Sequence, residues 1–426
     1  MPAWLPAGLS GAPVIGVLMR DSLIYDWNVV EPASRPPVVM LDDETLRDGL
    51  QSPSVRTPTI EQKIQILHLI DAVGVDTANV GLPGAGPHVV RDVERLCREI
   101  VDAKLSVQAN CAARTLVSDV EPIADIVQRT GLPIECCCFI GSSPLRQYAE
   151  DWTIDYLLKC TEEAISFAAR QGLTVMYVTE DTTRSDPGTL RRLFTAAIRS
   201  GASRICIADT VGHATPMGAG AVVRFARRVI DELGVDVGID WHGHRDRDLA
   251  VMNSVAALEA GASRVHGAAL GIGERVGNTP LDLLLVNLVL MRWVQRDLTK
   301  LYDYVRLVSD VTGVAIPDNY PVFGRDAFRT ATGVHAAAVV KAFKKNDRDL
   351  MDAVYSGVPA RLVGRAQEID VGPMSGKSNV VFWLERHGVT PSEELVDRVF
   401  RRAKASSTVL TVDEIMAEVT AAAAPR

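Results

Sequence analysis

Two histidines separated by one residue are the feature of this chain that points most directly to chemistry. His242 and His244 follow the apolar run 235–241, and residues two apart on a strand point to the same face. Two imidazoles on one face, joined by a distant carboxylate, can hold a divalent metal and leave positions open for substrate. Asp48, which follows the apolar run 38–41, is the natural third ligand. The spacing predicts a metal centre and is compatible with Mn²⁺, Mg²⁺, Zn²⁺ or Co²⁺.

Polar residues that follow other apolar runs predict the rest of a site. Arg47 would stabilise negative charge that develops on a carbonyl or enolate oxygen, with simple ion pairing as the alternative. Glu180 would act as an acid or base, although a structural pairing with Arg184 is the alternative. Thr210 would hydrogen-bond a carboxylate unless it only caps a turn. The glycine-rich segment 271–277 lacks the lysine of a P-loop and suits close approach to a carboxylate or a CoA chain.

The elements that position these residues are predicted by eight short apolar runs with helical patterns between them. The runs begin near Val38, Thr77, Leu105, Pro133, Leu173, Arg204, Val235 and Arg264. Eight such units in one continuous series predict an α/β fold, a closed (β/α)₈ TIM barrel rather than an open doubly wound sheet. Active sites of these barrels gather at the carboxyl ends of the strands, and the polar residues above follow the apolar runs.

The length of 426 residues suits a barrel of about 250 residues with an appended domain. We expect an N-terminal extension over 1–37, a catalytic barrel over 38–312 and a smaller, mainly helical C-terminal domain over 313–426. The last helices of that domain are predicted over 393–405 and 412–424.

Composition limits the class of partner and the compartment. The net charge of −8 gives no reason to expect nucleic acid or an anionic membrane as a partner, so small molecules are the expected ligands. The first 19 residues carry no charge, but prolines and glycines interrupt them, so we expect neither a signal peptide nor a membrane span. The seven cysteines lack C-x-x-C spacing and are expected to be buried and reduced, as in a cytoplasmic protein.

The chain resembles the isopropylmalate/homocitrate/citramalate synthase family of the DRE-TIM metallolyase superfamily. The matching segments are 43–51 (DETLRDGLQ), 180–181 (ED), 208–212 (ADTVG), 242–244 (HGH), 271–278 (GIGERVGN), 324–328 (GRDAF), 332–335 (TGVH) and 375–377 (SGK). The likeness covers about residues 38–385. This resemblance implies condensation of acetyl-CoA with a 2-oxo acid, followed by thioester hydrolysis. Within the family, the chain most resembles the 2-isopropylmalate synthases of leucine biosynthesis.

The resemblance also implies ligands for the metal and for both substrates. The metal ligands would be Asp48, His242, His244 and Asn278. The oxo acid would contact Arg47, Gln51 and Thr210, with Arg47 at its carbonyl oxygen and Thr210 at its carboxylate. The acetyl-CoA would contact Gly271, Gly273 and Glu274.

Catalytic residues from two subunits are implied as well. Arg47 and Glu180 would act from the barrel, with Glu180 in proton transfer. His335 and Tyr355 would come from the C-terminal domain, in the family typically that of the partner subunit, and would assist deprotonation of the acetyl methyl group. We therefore expect a homodimer in which the C-terminal domain reaches the partner barrel.

The identity of the oxo acid is predicted from strand alternation. Met176 and Val178 share the face of Glu180 and should line the barrel interior below it. Homocitrate synthases place an arginine at about the Met176 position, so an apolar lining favours 2-oxoisovalerate. Arg146 is the candidate partner for a second carboxylate, with a surface arginine as the alternative, and synthases of the homocitrate, citramalate or citrate type stay open.

Two other classes are weighed against the synthase. Leu50 matches the related hydroxymethylglutaryl-CoA lyases instead of the Glu common in the synthases, and Arg245 replaces their usual Asn or Asp. Those lyases carry a catalytic Cys in the loop after strand eight, and 271–278 contains none, so the synthase is favoured. A binding protein without activity is disfavoured because every expected ligand is present. The chain ends before a leucine-regulatory domain could form, and we expect no feedback through one.

Overall fold

Eight parallel strands close into a barrel in the computed structural model, which describes residues 24–25, 27–29 and 36–423. The strands follow one another around the barrel in chain order, and the eighth pairs with the first. They are β1 Met40–Asp43, β2 Thr77–Asn79, β3 Gln108–Arg114, β4 Ile134–Gly141, β5 Thr174–Glu180, β6 Arg204–Asp209, β7 Gly238–Gly243 and β8 Arg264–Gly267. The predicted (β/α)₈ TIM barrel is confirmed.

The strand register sets inward-facing residues into layers. Cys137 of β4 pairs with Met176 of β5, Cys206 of β6 pairs with Asp240 of β7, and Asp240 pairs with Arg264 of β8. Because side chains alternate across a strand, the residues two positions further along each strand form the next layer toward the carboxyl ends. The barrel interior is therefore a filled stack of side chains with its cavity at the top.

Helices connect the strands and pack against the outside of the barrel. They are α1 Ile60–Ala72, α2 Pro87–Ala103, α3 Val117–Thr130, α4 Pro144–Glu150, α5 Ile154–Arg170, α6 Pro187–Ser200, α7 Pro216–Leu233, α8 Ala250–Glu259, α9 Leu281–Leu290 and α10 Leu301–Thr312. The sequence fixes their starts locally. Thr59 and Gln62 form a capping box at α1, and Pro187 opens α6, where its fixed φ favours the first helical position.

Three strands begin later than their apolar runs predict. They begin at Met40, Gln108 and Gly238 instead of near Val38, Leu105 and Val235. Val38 and Val235 are 53% and 43% exposed. They therefore belong to the segments that lead into β1 and β7, before the hydrogen bonds between strands begin.

Chain contacts separate a unit formed by Pro32–Ile316 from a second unit that contains Pro317–Arg426. The second unit is mainly helical, as predicted. Its elements are α11 Gly333–Lys344, α12 Arg348–Ala353, α13 Lys377–Arg386, α14 Glu393–Ala405, α15 Val412–Ala423 and a small sheet of β9 Arg329–Thr330 and β10 Glu368–Ile369. Leu384, Leu395 and Ile415 join α13, α14 and α15 in one apolar core. Most of the predicted extension over 1–37 lies outside the described residues.

The seven cysteines are free and buried, as predicted. Cys137 lines the barrel interior, while its neighbours Cys136 and Cys138 lie on the opposite face of β4, with their Sγ atoms 3.6 Å apart. In the part of the chain that the structure describes, no helix has the length and apolar character needed to cross a bilayer.

Candidate active site

A cavity of about 270 Å³ lies inside the barrel, at the carboxyl ends of its strands. It brings together predicted site residues from five of the strands and the segments that follow them. These residues are Arg47, Asp48, Gln51, Met176, Glu180, Thr210, His242, His244 and Glu274. The barrel topology predicts that separate βα units contribute residues to one site. The residues that line the cavity do come from separate units.

Three potential metal ligands converge at one side of this cavity. His242 Nε2 lies 3.3 Å from His244 Nε2 and 3.5 Å from Asp48 Oδ2, and His244 Nε2 lies 3.8 Å from the same oxygen. Ligand atoms about 2.1 Å from one ion lie roughly 3 Å apart at right angles. The triangle is thus close to the size that a single bound ion requires.

Asn278 is held beside this triangle by the loop that follows β8. Its Nδ2 donates to Asp48 Oδ1 (3.1 Å) and to the carbonyl oxygen of Ile272 (3.0 Å), whereas its buried Oδ1 finds no hydrogen-bond partner among the described residues. Gly273 makes this approach possible, because a Cβ there would overlap Asn278 Nδ2. A buried amide oxygen without a partner is costly unless something else binds it, and a fourth metal ligand fits that position.

Burial and charge set the protonation of these ligands. Burial disfavours ionised Asp48, but the charge of Arg47 and the imidazoles of His242 and His244 outweigh it and hold the pKa of that carboxyl well below its usual range. Burial also lowers the pKa of His244 to about 4. At neutral pH the site therefore offers a carboxylate and a neutral imidazole, the forms that bind a metal.

Arg47 is clamped between two carboxylates. Its Nη1 donates to Asp48 Oδ2 (3.0 Å), while its Nε and Nη2 lie 2.9 Å and 2.7 Å from Glu44 Oε2. A planar guanidinium that is bound on two edges has a fixed orientation. Arg47 thus presents its charge to the cavity from a defined position, as the prediction of a charge-stabilising role requires.

Glu44 and His266 also line the cavity, although neither was predicted. Burial disfavours ionised Glu44, but the charge of Arg47 and the nearby imidazoles of His266 and His242 lower its pKa to about 2. Burial disfavours charged His266, but Asp42 and a hydrogen bond to Asp240 raise its pKa to about 9. Strand alternation, applied to β1 and β8 as it was to β7, would have placed both residues inside the barrel.

Arg264 closes the interior below the cavity. Its Nε donates to Asp240 Oδ2 (2.6 Å), and its Nη2 donates to Glu135 Oε2 (2.5 Å) and lies 3.4 Å from Met176 Sδ. Arg204 binds the other oxygen of Asp240. These buried ion pairs join β4, β6, β7 and β8 across the floor of the barrel, and each buried charge in them is paired, as burial requires.

The wall formed by β4, β5 and β6 is apolar. Cys137, Met176 and Cys206 make one buried cluster, with Val178 packed against it. Phe139 lines the same wall closer to the mouth of the cavity. The structure thus places Met176 and Val178 inside the barrel below Glu180, and this wall can accept an apolar group without leaving a polar atom unpaired.

Glu180 and Thr210 stand at the rim. Glu180 Oε1 lies 3.2 Å from Arg146 Nε, and Arg184 pairs with Asp181 instead (2.7 Å). Burial raises the pKa of Glu180 although the charge of Arg146 opposes the shift, and a raised pKa favours proton donation by this carboxyl. Thr210 Oγ1 accepts the backbone N–H of Asp181 (2.8 Å), so its own hydroxyl hydrogen can still be donated to a ligand.

Arg146 lies between two carboxylates, since its Nη1 also donates to Glu150 Oε1 at 3.0 Å. Its contact with a substrate carboxylate therefore stays a prediction. Gln51 lines the cavity from the exposed turn after β1.

The loop after β8 is fastened over the cavity by Arg275, which sequence reasoning did not single out. Its guanidinium donates to both carboxylate oxygens of Asp246 (2.8 and 2.9 Å) and to the carbonyl oxygen of Thr210 (2.7 Å). Three βα loops are joined by this one side chain. Gly271, Gly273 and Glu274, the predicted acetyl-CoA contacts, lie on this loop or at its start.

His335 and Tyr355, the predicted catalytic pair of the C-terminal domain, lie in the second unit. Their rings stack with centroids 4.2 Å apart and an interplanar angle of 28°. Tyr355 is half exposed. The two residues therefore form one local pair, as a joint role in the reaction would require.

Comparison with known proteins assigns the chain to a family. Residues 38–308 match the HMGL-like family. The chain is 32% identical over 372 residues to the probable 2-isopropylmalate synthase of Methanopyrus kandleri, covering 87% of this chain and 70% of that protein. It is 34% identical over 385 residues to homocitrate synthase AksA of the same organism (89% and 91%) and 31% identical over 380 residues to homocitrate synthase of Pyrococcus abyssi (89% and 98%). The chain belongs to the HMGL-like family, and the predicted resemblance to its synthases is confirmed.

Solved structures share the barrel. HMG-CoA lyase from Brucella melitensis superposes with a TM-score of 0.55 at 17% identity and covers 65% of this chain and 99% of its own. Hydroxymethylglutaryl-CoA lyase from Pseudomonas aeruginosa superposes with a TM-score of 0.53 at 20% identity and covers 65% and 93%. At these identities the likeness establishes the fold.

Proposed function

We propose that this protein condenses acetyl-CoA with a monocarboxylic 2-oxo acid, best 2-oxoisovalerate, to give a 2-alkylmalate and CoA. The acetyl methyl carbon loses a proton and forms a bond to the carbonyl carbon of the oxo acid, and water then cleaves the thioester. One observation carries the proposal: the carboxylate–imidazole triangle and Arg47 face an apolar wall across one cavity.

The donor set supports a divalent metal. Asp48, His242 and His244 would hold it, and the unpaired Oδ1 of Asn278 would complete the set. When bound, such an ion polarises the carbonyl of the oxo acid as a Lewis acid. Oxygen and imidazole ligands suit Mn²⁺, Mg²⁺, Zn²⁺ or Co²⁺.

The remaining residues of the cavity would bind and orient the oxo acid. Arg47, fixed by two carboxylates, would stabilise the charge that develops on the carbonyl oxygen. Thr210 would donate its hydroxyl hydrogen to the substrate carboxylate, and Glu180 would exchange a proton at the cavity rim. Gly271, Gly273 and Glu274 would contact the acetyl-CoA.

We further propose a homodimer in which His335 and Tyr355 serve the barrel of the partner subunit and assist removal of the methyl proton. Their stacking within one unit supports a shared role. We also propose that the protein works in the cytoplasm, which the seven free thiols support, and that its product belongs to branched-chain amino-acid synthesis of the leucine type.

The apolar wall supports 2-oxoisovalerate over a dicarboxylic acid. A second carboxylate among Cys137, Met176, Cys206 and Val178 would lose its hydration without gaining a partner. The homocitrate synthases among the relatives support the other candidate, a dicarboxylic oxo acid such as 2-oxoglutarate, with Arg146 as its charge partner.

The experiment is thiol release from acetyl-CoA in the presence of Mn²⁺ or Mg²⁺, with a panel of 2-oxo acids. We expect the highest kcat/KM with 2-oxoisovalerate. A preference for 2-oxoglutarate would overturn the apolar-pocket assignment and keep the condensation. Absence of thiol release across the panel, with cleavage of a 3-hydroxyacyl-CoA, would show a lyase instead.

A further inference from the structure

Glu44 is a buried carboxylate that faces the reacting groups without being one of the predicted ligands. Its side chain lies within the cavity wall and is almost fully buried. We propose that Glu44 is a positioning residue that fixes both Arg47 and His242, an inference that rests on the proposed condensation. Its two oxygens face different partners, so a single side chain orients the charge-stabilising group and a metal ligand together.

The first oxygen sets the plane of Arg47. Glu44 Oε2 accepts a hydrogen bond from Nε (2.9 Å) and lies 2.7 Å from Nη2, so one charged oxygen holds one edge of that guanidinium. Asp48 receives only Nη1. Without the Glu44 charge, Arg47 would keep one contact, to the metal ligand itself, and could swing toward it.

The second oxygen faces the imidazoles. Glu44 Oε1 lies 3.8 Å from His242 Nδ1 and 3.5 Å from His266 Nδ1. A carboxylate opposite Nδ1 favours the tautomer with hydrogen on that nitrogen, which leaves Nε2 as the ligand atom. His242 Nε2 is the nitrogen that points at Asp48 and His244.

Glu44 is itself held from below. Asp42 and His266 are partners in the register between β1 and β8, and His266 Nε2 lies 2.9 Å from Asp240 Oδ2. Asp240 in turn binds Arg264. A continuous series of buried charges therefore reaches from the barrel floor to Glu44. These charges support the side chain from below and hold the Glu44 carboxylate in one position.

A second metal site is the competing interpretation, because single atoms of Glu44, His242 and His266 also lie within 4.8 Å of one another. The atoms that such an ion would use are Glu44 Oε1, His242 Nδ1 and His266 Nδ1. One observation argues against it: the guanidinium of Arg47 already lies on the other oxygen of the same carboxylate. A cation bound there would share its carboxylate with a fixed positive charge, which like-charge repulsion opposes.

The test compares Glu44→Gln with Asp43→Asn. Gln keeps the shape of Glu44 and removes its charge. Asp43 is the adjacent buried carboxylate, but its partners are the Thr45 backbone N–H and the Tyr304 hydroxyl, away from the cavity. Mn²⁺ affinity is measured by calorimetry on the full chain, and kcat and KM are measured with acetyl-CoA and 2-oxoisovalerate.

For Glu44→Gln we expect Mn²⁺ affinity to fall about 10- to 100-fold, as for other residues that orient metal ligands, with a loss in kcat larger than any rise in KM. Glu44→Asp, which keeps the charge, is expected to recover part of both losses. Asp43→Asn is expected to keep Mn²⁺ affinity and kcat close to wild type, even if it melts at a lower temperature.

Unchanged Mn²⁺ affinity and kcat in Glu44→Gln would overturn the proposal. So would two Mn²⁺ ions per wild-type chain with one in the variant, because Glu44 would then be a ligand. If Glu44→Gln does not fold, equal losses in Glu44→Asp and Asp43→Asn would overturn it, and a loss confined to Glu44→Asp would support it. Lower Mn²⁺ affinity in Glu44→Gln, combined with wild-type protein that condenses no oxo acid, would reject the proposed reaction and retain the positioning role.

Discussion

The two halves of the barrel interior differ in kind. The half built by β7, β8, β1, β2 and β3 is polar, and the half built by β4, β5 and β6 is apolar between its floor and its rim. The inward-facing polar residues include Asp240, His242, Arg264, His266, Asp42, Glu44, Asn79 and Asn110. The apolar half presents Cys137, Phe139, Met176, Val178, Cys206 and Ala208. The proposed substrate would lie between them.

This difference explains how one barrel can keep the same reaction while the substrate that it accepts changes. Polar side chains in the first half hydrogen-bond one another, as Asn110 does with Asp42 and His266 with Asp240, so a change at one residue leaves another buried group unpaired. Apolar contacts in the second half are not directional, and a wall of this kind accepts changes of volume more readily. We therefore expect substitutions in the polar half to affect rate and metal binding, and substitutions in the apolar half to affect substrate choice.

The largest effect is expected from His242→Ala, which removes a ligand from the polar half. Mn²⁺ affinity should fall more than about a hundredfold, beyond the loss typical of a residue that only orients a ligand, and thiol release should reach background. The matched control is His68→Ala, because His68 pairs with Glu99 on the exposed side of α1. If His242→Ala still binds Mn²⁺ as the wild type does, the metal centre does not lie in the polar half.

Arg47→Lys should come next. Lysine keeps the charge but cannot bind two carboxylates through a planar fork. We expect kcat to fall about 10²- to 10³-fold, the usual cost of losing one charge-stabilising donor, while calorimetry shows Mn²⁺ affinity near that of the wild type. A rise in KM with unchanged kcat would mean that Arg47 binds the substrate without stabilising the transition state.

Met176→Ala tests the apolar half. The wider wall should raise kcat/KM for 2-oxo acids one methylene longer, relative to 2-oxoisovalerate, by about tenfold or more. Unfolding by denaturant should show a loss of about 2–5 kcal/mol. Met176→Leu preserves volume and should cost less than about 1.5 kcal/mol. An equal fall in kcat for every oxo acid would contradict the division between the halves.

The smallest effect is expected at the rim, where Asp246→Asn weakens the contact with Arg275. That pair is partly exposed, and such pairs contribute about 0–1 kcal/mol. The KM for acetyl-CoA should therefore rise no more than about fivefold. Steady-state kinetics at low and high salt measures it, and a loss of kcat as large as that of Arg47→Lys would place the rim within the catalytic centre.

Sequence reasoning predicted the fold well because its signals are local. Eight apolar runs specified eight strands, and the spacing of His242 and His244 placed them on one face of β7. The same alternation extends back to Asp240 and across to Arg264 and His266, yet these residues were missed because a single buried charge in an apolar run carries no ligand signal.

Contacts between distant strands were not predictable from one sequence. Arg264 reaches Glu135, 129 residues earlier in the chain, and Glu180 contacts Arg146 rather than the nearby Arg184. Both contacts depend on strand order and on side-chain conformation. Glu44 belongs to the same group, since its role depends on the register between β1 and β8.

The three consecutive cysteines of β4 offer a chemical reporter. Cys137 lines the cavity, whereas Cys136 and Cys138 lie on the face of the strand that α3 and α5 cover. Burial raises the pKa of the Cys137 thiol, so a small methanethiosulfonate would label it at alkaline pH. A bound oxo acid would shield that thiol, while the fully buried Cys136 and Cys138 would stay unlabelled in both states. In mass spectra of the single peptide that carries all three cysteines, one label would report an open cavity, no label an occupied one, and three labels an unfolded barrel.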